Sequence, residues 1–189
     1  MRTIAGGFLL LAGATLHAAG LDRNWFRQAL TEEAAHWRAA AYTPNGFFQP
    51  SLDRQWRPAP KQTGTLVSQC RQMFVMAAGY EVTRDAAYLE ALKKGSDFLL
   101  AHFRDTEYGG YFFSTAPDGK VLDDSKDSYG HAFVIFGLSH AARITGEARY
   151  RDAALAAWAD MKRHFRDGPV FLKPRLNRDF TQARGVNSQ

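Results

Sequence analysis

The tetrapeptide His-Phe-Arg-Asp occurs at His102 to Asp105 and again at His164 to Asp167, 62 residues later. The flanking sequence carries the same offset. Thr83, Asp85, Ala86, Tyr88 and Ala91 fall opposite Thr145, Glu147, Ala148, Tyr150 and Ala153. A fainter third copy lies upstream, where His36, Trp37 and Arg38 are followed by Tyr42 and Gly46-Phe47-Phe48. His102, Phe103 and Arg104 are likewise followed by Tyr108 and Gly110-Tyr111-Phe112. A period of this length marks stacked supersecondary units, each burying its apolar face on its neighbours.

Within a unit, Tyr88, Leu92, Gly95, Leu99 and Phe103 are spaced as one stripe of an amphipathic helix, and Tyr150, Ala154, Ala157, Met161 and Phe165 repeat it. The segments before them, Leu66 to Ala78 and Ala132 to Ala142, are apolar on nearly every side and are expected to be helices buried all round. Each repeat then reads as an inner helix, a short turn near Thr83 or Thr145-Gly146, and an outer helix. Gly146 suits a helix stop and Glu147 the first turn of the next helix. Two alternating layers imply an all-α fold, an α/α toroid rather than an open solenoid. Six repeats of this length would need roughly 370 residues to close it.

The connectors after the outer helices, Tyr42 to Pro60 and Tyr108 to Asp124, are rich in aromatic residues and glycine. Gly110 to Ser114, followed by Pro117-Asp118-Gly119-Lys120, reads as a short β-hairpin turning at Asp118-Gly119. Leaving from the same end of each helix pair, these loops collect on one face, where a site would be built.

With 46% hydrophobic and 23% charged residues in 189, the chain is globular rather than disordered. Arg2 precedes an apolar run from Ile4 to Leu16, followed by Ala18-Ala19-Gly20, so residues 1–20 have the form of a signal peptide. A buried first helix is the alternative, disfavoured by Gly6, Gly7 and Gly13. Removal near Gly20 would leave residues 21–189 as the mature domain, periplasmic or secreted, with no membrane association after cleavage. The one cysteine, Cys70, excludes internal disulfides and reads as a buried, inert thiol. Of the net charge of +5, four arise between Asp160 and Gln189, where seven Lys or Arg face three Asp. Without a recognition-helix pattern these do not point to nucleic acid. Their carboxylate partners are expected in chain beyond the sequence. No motif specifies an oligomeric state.

No His pair at i, i+4 with a Glu, no Cys-x-x-Cys and no phosphate-cradling glycine loop is present, so neither a metal nor a nucleotide cofactor is expected. Arg71 stands in a helix read as having no solvent face, and a guanidinium there needs a carboxylate from an adjacent helix or a polar cavity. Lys126, Asp127, Tyr129 and His131 open the next inner helix. Tyr129 is either a capped core tyrosine or a hydroxyl aimed into a cavity. Asp123, Asp124 and Asp127 cluster at the same helix mouth, which would suit a glycoside hydrolase, although acids there more often cap and solvate.

The segments "SQCRQMFVMAAGY", "YLEALKKGSDFLLAHFRDTEYGGYFFSTAPDGK" and "KDSYGHAFVIFGLSHAARITG" resemble, in order and spacing, the N-acylglucosamine 2-epimerase family. This family of sugar epimerases and isomerases includes cellobiose 2-epimerases and mannose isomerases. The likeness runs from about residue 22 to 189. It implies an (α/α)6 barrel around a sugar-binding cavity, here a partial barrel of about five helices with β-hairpin connectors. It also implies a free sugar as small-molecule substrate and metal-free proton transfer at C2 through an enediolate. In such enzymes two histidines exchange the proton and an arginine steadies the enediolate. By motif, Arg71 matches that arginine, Tyr129 a tyrosine of the sugar site, and Asn187 the asparagine opening an Asn-x-x-x-His motif. The sequence stops before that motif's histidine, and none of its own six matches a catalytic position. The expectation is the N-terminal half of a barrel, inactive by itself. A non-enzymatic carbohydrate-binding module is the remaining alternative.

Overall fold

The computed structural model describes residues 22–184. Residues 1–20, read as a signal peptide, and Asn187 lie outside the described residues. Outer helices α1 (Arg23–Ala41), α3 (Ala86–Phe98) and α5 (Ala148–Asp160) alternate with inner helices α2 (Leu66–Thr83) and α4 (Ser128–Thr145). The chain is thus mostly helical and two-layered, as the repeat implies.

The copies match in detail. Both inner helices end on a left-handed residue, Arg84 at φ 61° and Gly146 at φ 73°. Before each, a threonine hydroxyl donates back to a carbonyl one turn earlier, Thr83 to Gly79 at 2.7 Å and Thr145 to Ala141 at 2.8 Å. The same oxygens accept the N–H of Asp85 and of Glu147, each at 3.1 Å. All ten residues of the two outer-helix stripes are buried. Both outer helices finish in a π-helical turn, Leu99–Phe103 and Met161–Phe165. A π turn holds more residues than an α turn, so the final spacing of four returns Phe103 and Phe165 to the buried line.

Three equivalent turns follow the outer helices, closed by the bridges Tyr42↔Phe48 and Arg104↔Tyr111 and by β5 (Arg166–Asp167) with β6 (Phe171–Leu172). The faint upstream copy is therefore a real one. The remaining strands interlock the connectors. β1 (Gly64–Thr65) pairs with β2 (Ser114–Thr115), which pairs with β3 (Val121–Asp123), and β4 (Lys126–Asp127) pairs with β7 (Arg175–Leu176). The hairpin turns at Gly119, φ 86°, as the Asp118-Gly119 signal predicts, but its strands begin at Ser114 rather than Gly110. Gly110 and Tyr111 are instead held against Asp160 and His131.

Inner and outer helices close on one apolar core that includes Phe47, Phe48, Met73, Leu92, Phe103, Leu138 and Tyr150. Each large side chain removed from water there contributes about 1.5 to 3 kcal/mol. Cys70 is buried against α4, where Gly137 permits the close approach: a Cβ on Gly137 would meet the Cys70 Cβ at 3.0 Å. Burial pushes the Cys70 thiol far up, so it stays protonated.

The inner helices are not buried all round. Phe74 is 40% exposed, Phe136 37% and Tyr129 58%, all on one open wall. Three of the seven C-terminal basic residues also have partners inside the chain, contrary to the expectation that these lie beyond it. Arg178 pairs with Asp105 and Glu107, Arg175 with Asp123 and Asp127, and Arg184 with Asp123 and Asp124.

Candidate functional site

The open wall is built from equivalent positions of successive repeats placed side by side. Arg71 lies against Phe133, 62 residues on, with its guanidinium carbon 4.9 Å from the ring centroid. Phe74 lies against Phe136, with ring centroids 5.1 Å apart. Glu81 meets Arg143, whose Nη2 donates to Oε2 at 2.9 Å. α2 and α4 therefore run at the same height, and the wall has layers that the repeat itself defines.

Arg71 is exposed, which corrects the reading of a guanidinium locked in a solvent-free helix. The error came from its apolar neighbours: Cys70 and Met73 do face the core, while Phe74 shares the wall. Nor does a carboxylate of an adjacent helix hold Arg71, since among the described residues it makes no ion pair. Its Nη2 instead reaches the Tyr129 hydroxyl at 3.5 Å. Tyr129 is thus no core tyrosine; its hydroxyl stands beside Arg71 and its ring packs edge-on against Phe133 at 5.0 Å. The structure brings Arg71 and Tyr129 together, at the connector end of the wall.

Both inner helices anchor the connector that precedes them by a buried polar side chain at equivalent places. Gln69 accepts the Phe48 N–H at 2.9 Å and donates to its carbonyl at 2.7 Å. His131 Nε2 accepts the Tyr111 N–H at 3.0 Å, and its Nδ1 lies 2.7 Å from the Asp127 carbonyl. A carbonyl only accepts, so Nδ1 carries the proton and the imidazole is neutral. Burial pushes its pKa down from 6.5 to about 4, overcoming the Asp127 carbonyl. His131 is structural. His102 and His164 end outer helices, and His36 packs on Trp56. His140 is on the wall between Phe74 and Phe136, two helical turns beyond Phe133, so none of these adjoins Arg71.

The acids at the mouth of α4 are engaged. Asp127 caps the helix, accepting the Gly130 N–H at 2.6 Å. Asp123 and Asp124 help line a cavity of about 760 Å³ with Phe112, Arg178 and Arg184, which touches neither Arg71 nor Tyr129. Burial raises the Asp123 carboxyl, but Ser125 and the charges of Arg175 and Arg184 prevail and hold it below the ordinary range. A glycosidase acid must be raised instead. Among the described residues no group of three His, Cys, Asp or Glu could hold a metal ion, and no helix is long and apolar enough to cross a membrane.

Sequence reasoning missed one feature here, a buried ion pair between Asp105 and Lys126. Lys126 is fully buried, with Nζ 2.8 Å from Asp105 Oδ2, 3.0 Å from the Gly109 carbonyl and 4.5 Å from the Phe112 ring centroid. A lysine at the entrance of an inner helix was its only signal.

Residues 46–189 match the model of the N-acylglucosamine 2-epimerase (GlcNAc 2-epimerase) family. The chain belongs to this family. It is 29% identical over 124 residues to cellobiose 2-epimerase of Bacteroides fragilis, covering 66% of this chain and 32% of that protein. It is 31% identical over 157 residues to D-mannose isomerase of Thermobifida fusca, covering 79% of this chain and 34% of the other. A crystal structure of D-mannose isomerase superposes with a TM-score of 0.77 at 24% identity, over 89% of this chain and 44% of that one. The fold is that of these α/α toroid epimerases. The chain spans about a third of the length of the curated relatives it matches.

Proposed function

We propose that this chain forms part of a carbohydrate epimerase or isomerase that acts on free reducing sugars by moving the C2 proton through an enediolate. One observation carries the reading: Arg71 presents a guanidinium without an ion-pair partner among the described residues, steadied over Phe133 and beside the Tyr129 hydroxyl. Loss of the C2 proton from an open-chain aldose moves its electron pair into a C1–C2 double bond and leaves the negative charge on O1, beside the O2 hydroxyl. A guanidinium fixed before the reaction stabilises that charge without reorganising. Return of the proton to C2 from the opposite face gives the epimer, and its delivery to C1 gives the ketose. This wall supplies the anion-stabilising part; none of the described histidines adjoins Arg71, so the proton-transferring groups belong to other elements of the site. Asn187, by its match to the family motif, would contact the same sugar. Family membership supports a sugar as substrate, and the relatives' activities on cellobiose and mannose make these the first to try.

The test is to incubate the protein, as its host makes it, with mannose, glucose, N-acetylmannosamine and cellobiose in deuterated water. Interconversion with deuterium incorporated at C2 of the epimer or at C1 of the ketose supports the reading. Cleavage of a glycoside with no C2 exchange would overturn it in favour of a hydrolase. We also propose export, on the pattern of residues 1–20 alone.

A further inference from the structure

Between β4 and α4 the chain turns at Lys126 to His131, and five of those six residues are tied down. Lys126 is clamped by Asp105 and the Gly109 carbonyl. Asp127 takes the Gly130 N–H and the His131 imidazole, while Ser128 donates its N–H to the Pro174 carbonyl at 3.0 Å. Tyr129 alone projects, toward Arg71.

We infer that the buried Asp105–Lys126 pair is a positioning device that holds this turn so that the Tyr129 hydroxyl stands beside Arg71. The inference rests on the sugar-site reading above. Three observations carry it. First, the pair closes one connector and ties it to the next: Asp105 opens the connector between α3 and α4, Lys126 ends it, and Arg178, which follows α5, donates to Asp105 from Nε at 2.9 Å and Nη2 at 3.2 Å. Second, the preceding repeat does without it. Sixty-two residues earlier stand Thr43 and Gly64, and the place of Tyr129 is taken by Val67. That repeat still folds on its Gln69 anchor, just as α4 has His131, so the pair is not needed to make a repeat. Of the two inner helices among the described residues, it precedes the one that sets a tyrosine hydroxyl beside Arg71. Third, a buried ion pair is a poor way to gain stability, since apolar residues of similar volume often serve as well, whereas it fixes geometry sharply. Burial draws the Lys126 ammonium down against the pull of Asp105, and the hydrogen bonds of Arg178 and Lys126 keep Asp105 ionised in spite of its own burial.

The experiment is a cycle in the host-made protein: Asp105→Asn with Lys126→Met, which removes both charges together and leaves neither unpaired, alone and combined with Tyr129→Phe. Turnover of the sugar should fall roughly tenfold to a hundredfold in the first, the scale of a reacting group displaced by about an ångström. With the hydroxyl already absent the same change should cost about twofold or less. The Tyr129 ring NMR signal, assigned by its loss in Tyr129→Phe, should move. Equal loss in both backgrounds with that signal unmoved would mean a merely structural pair and overturn the inference. If the unaltered protein turns over no sugar, the sugar reading fails while the Tyr129 signal still judges the positioning. Should the charge-free variant not fold, Arg178→Ala withdraws one partner of Asp105 and should shift the same signal less far, an unmoved signal there again overturning the inference.

Discussion

Arg71 and Phe133 occupy the same place in successive repeats, and the guanidinium of the first rests 4.9 Å from the ring centroid of the second. A cation over an aromatic face is attracted by the ring quadrupole, and stacking leaves the in-plane N–H groups free to donate. The contact therefore orients Arg71 without consuming its hydrogen bonds. A carboxylate would have oriented it equally well and spent them.

For Arg71→Met we expect turnover to fall by about two orders of magnitude or more, the usual scale for losing a fixed donor to a developing oxyanion. The melting temperature should change little, because the side chain is exposed and has no ion pair among the described residues. Tyr129→Phe should cost less and act partly on substrate binding. Steady-state kinetics and thermal unfolding of both variants check this. Normal turnover with a sharply lower melting temperature in Arg71→Met would make the arginine structural.

His131 should make the protein acid-sensitive over a defined window. Its folded pKa of about 4 lies below the ordinary 6.5, so the neutral form is the one the fold prefers. Its stabilisation is complete above pH 6.5 and is lost as pH falls toward 4, amounting to about 3 kcal/mol at most. Denaturant titrations between pH 7 and 4 should show that slope. His131→Gln should flatten it while keeping the fold, since glutamine performs this task at Gln69.

Gly46 tests the upstream copy. Its φ is 93° and a Cβ there would lie 2.2 Å from the Lys94 carbonyl oxygen, a backbone atom that cannot step aside. Gly46→Ala should destabilise by about 2 kcal/mol or more, of which left-handed strain is roughly half. Gly146→Ala, at φ 73° with nothing within 4 Å of the added carbon, should lose only the strain. Chemical denaturation of the pair measures the difference.

Export is checked by mass spectrometry of protein recovered from its host, where the N-terminus should fall near Leu21. A cytoplasmic product beginning at Met1 would rule it out.

The outer helices were legible because one stripe, Tyr88 to Phe103, carries both periodicity and copy number. The inner helices were half legible. Apolar residues on every side announce that Leu66 to Ala78 is enclosed, but do not distinguish packing against core, as at Met73, from lining an aromatic wall, as at Phe74. Arg71 stands out as a charge in an apolar helix and Tyr129 as a polar residue at the mouth of the next, the family motif suggests their roles, and their mutual contact spans 58 residues that no local pattern connects. The partners of Arg178 were unreadable for a similar reason, since they sit 71 and 73 positions away in another connector. His131 could have been understood in advance: Gln69, a polar residue at the same place in a buried helix, states its task.

Glu81 and Arg143 are copies of one position, yet they carry opposite charges and bind each other. Had duplication been faithful there, two glutamates or two arginines would face one another and the neighbouring inner helices would repel. Divergence between copies has supplied an address. A chain made of near-identical units risks docking any unit beside any other, and a charge that changes sign from one unit to the next tells a helix which neighbour is its own. The period makes the architecture possible, and at Glu81 and Arg143 a departure from it makes two neighbouring inner helices complementary.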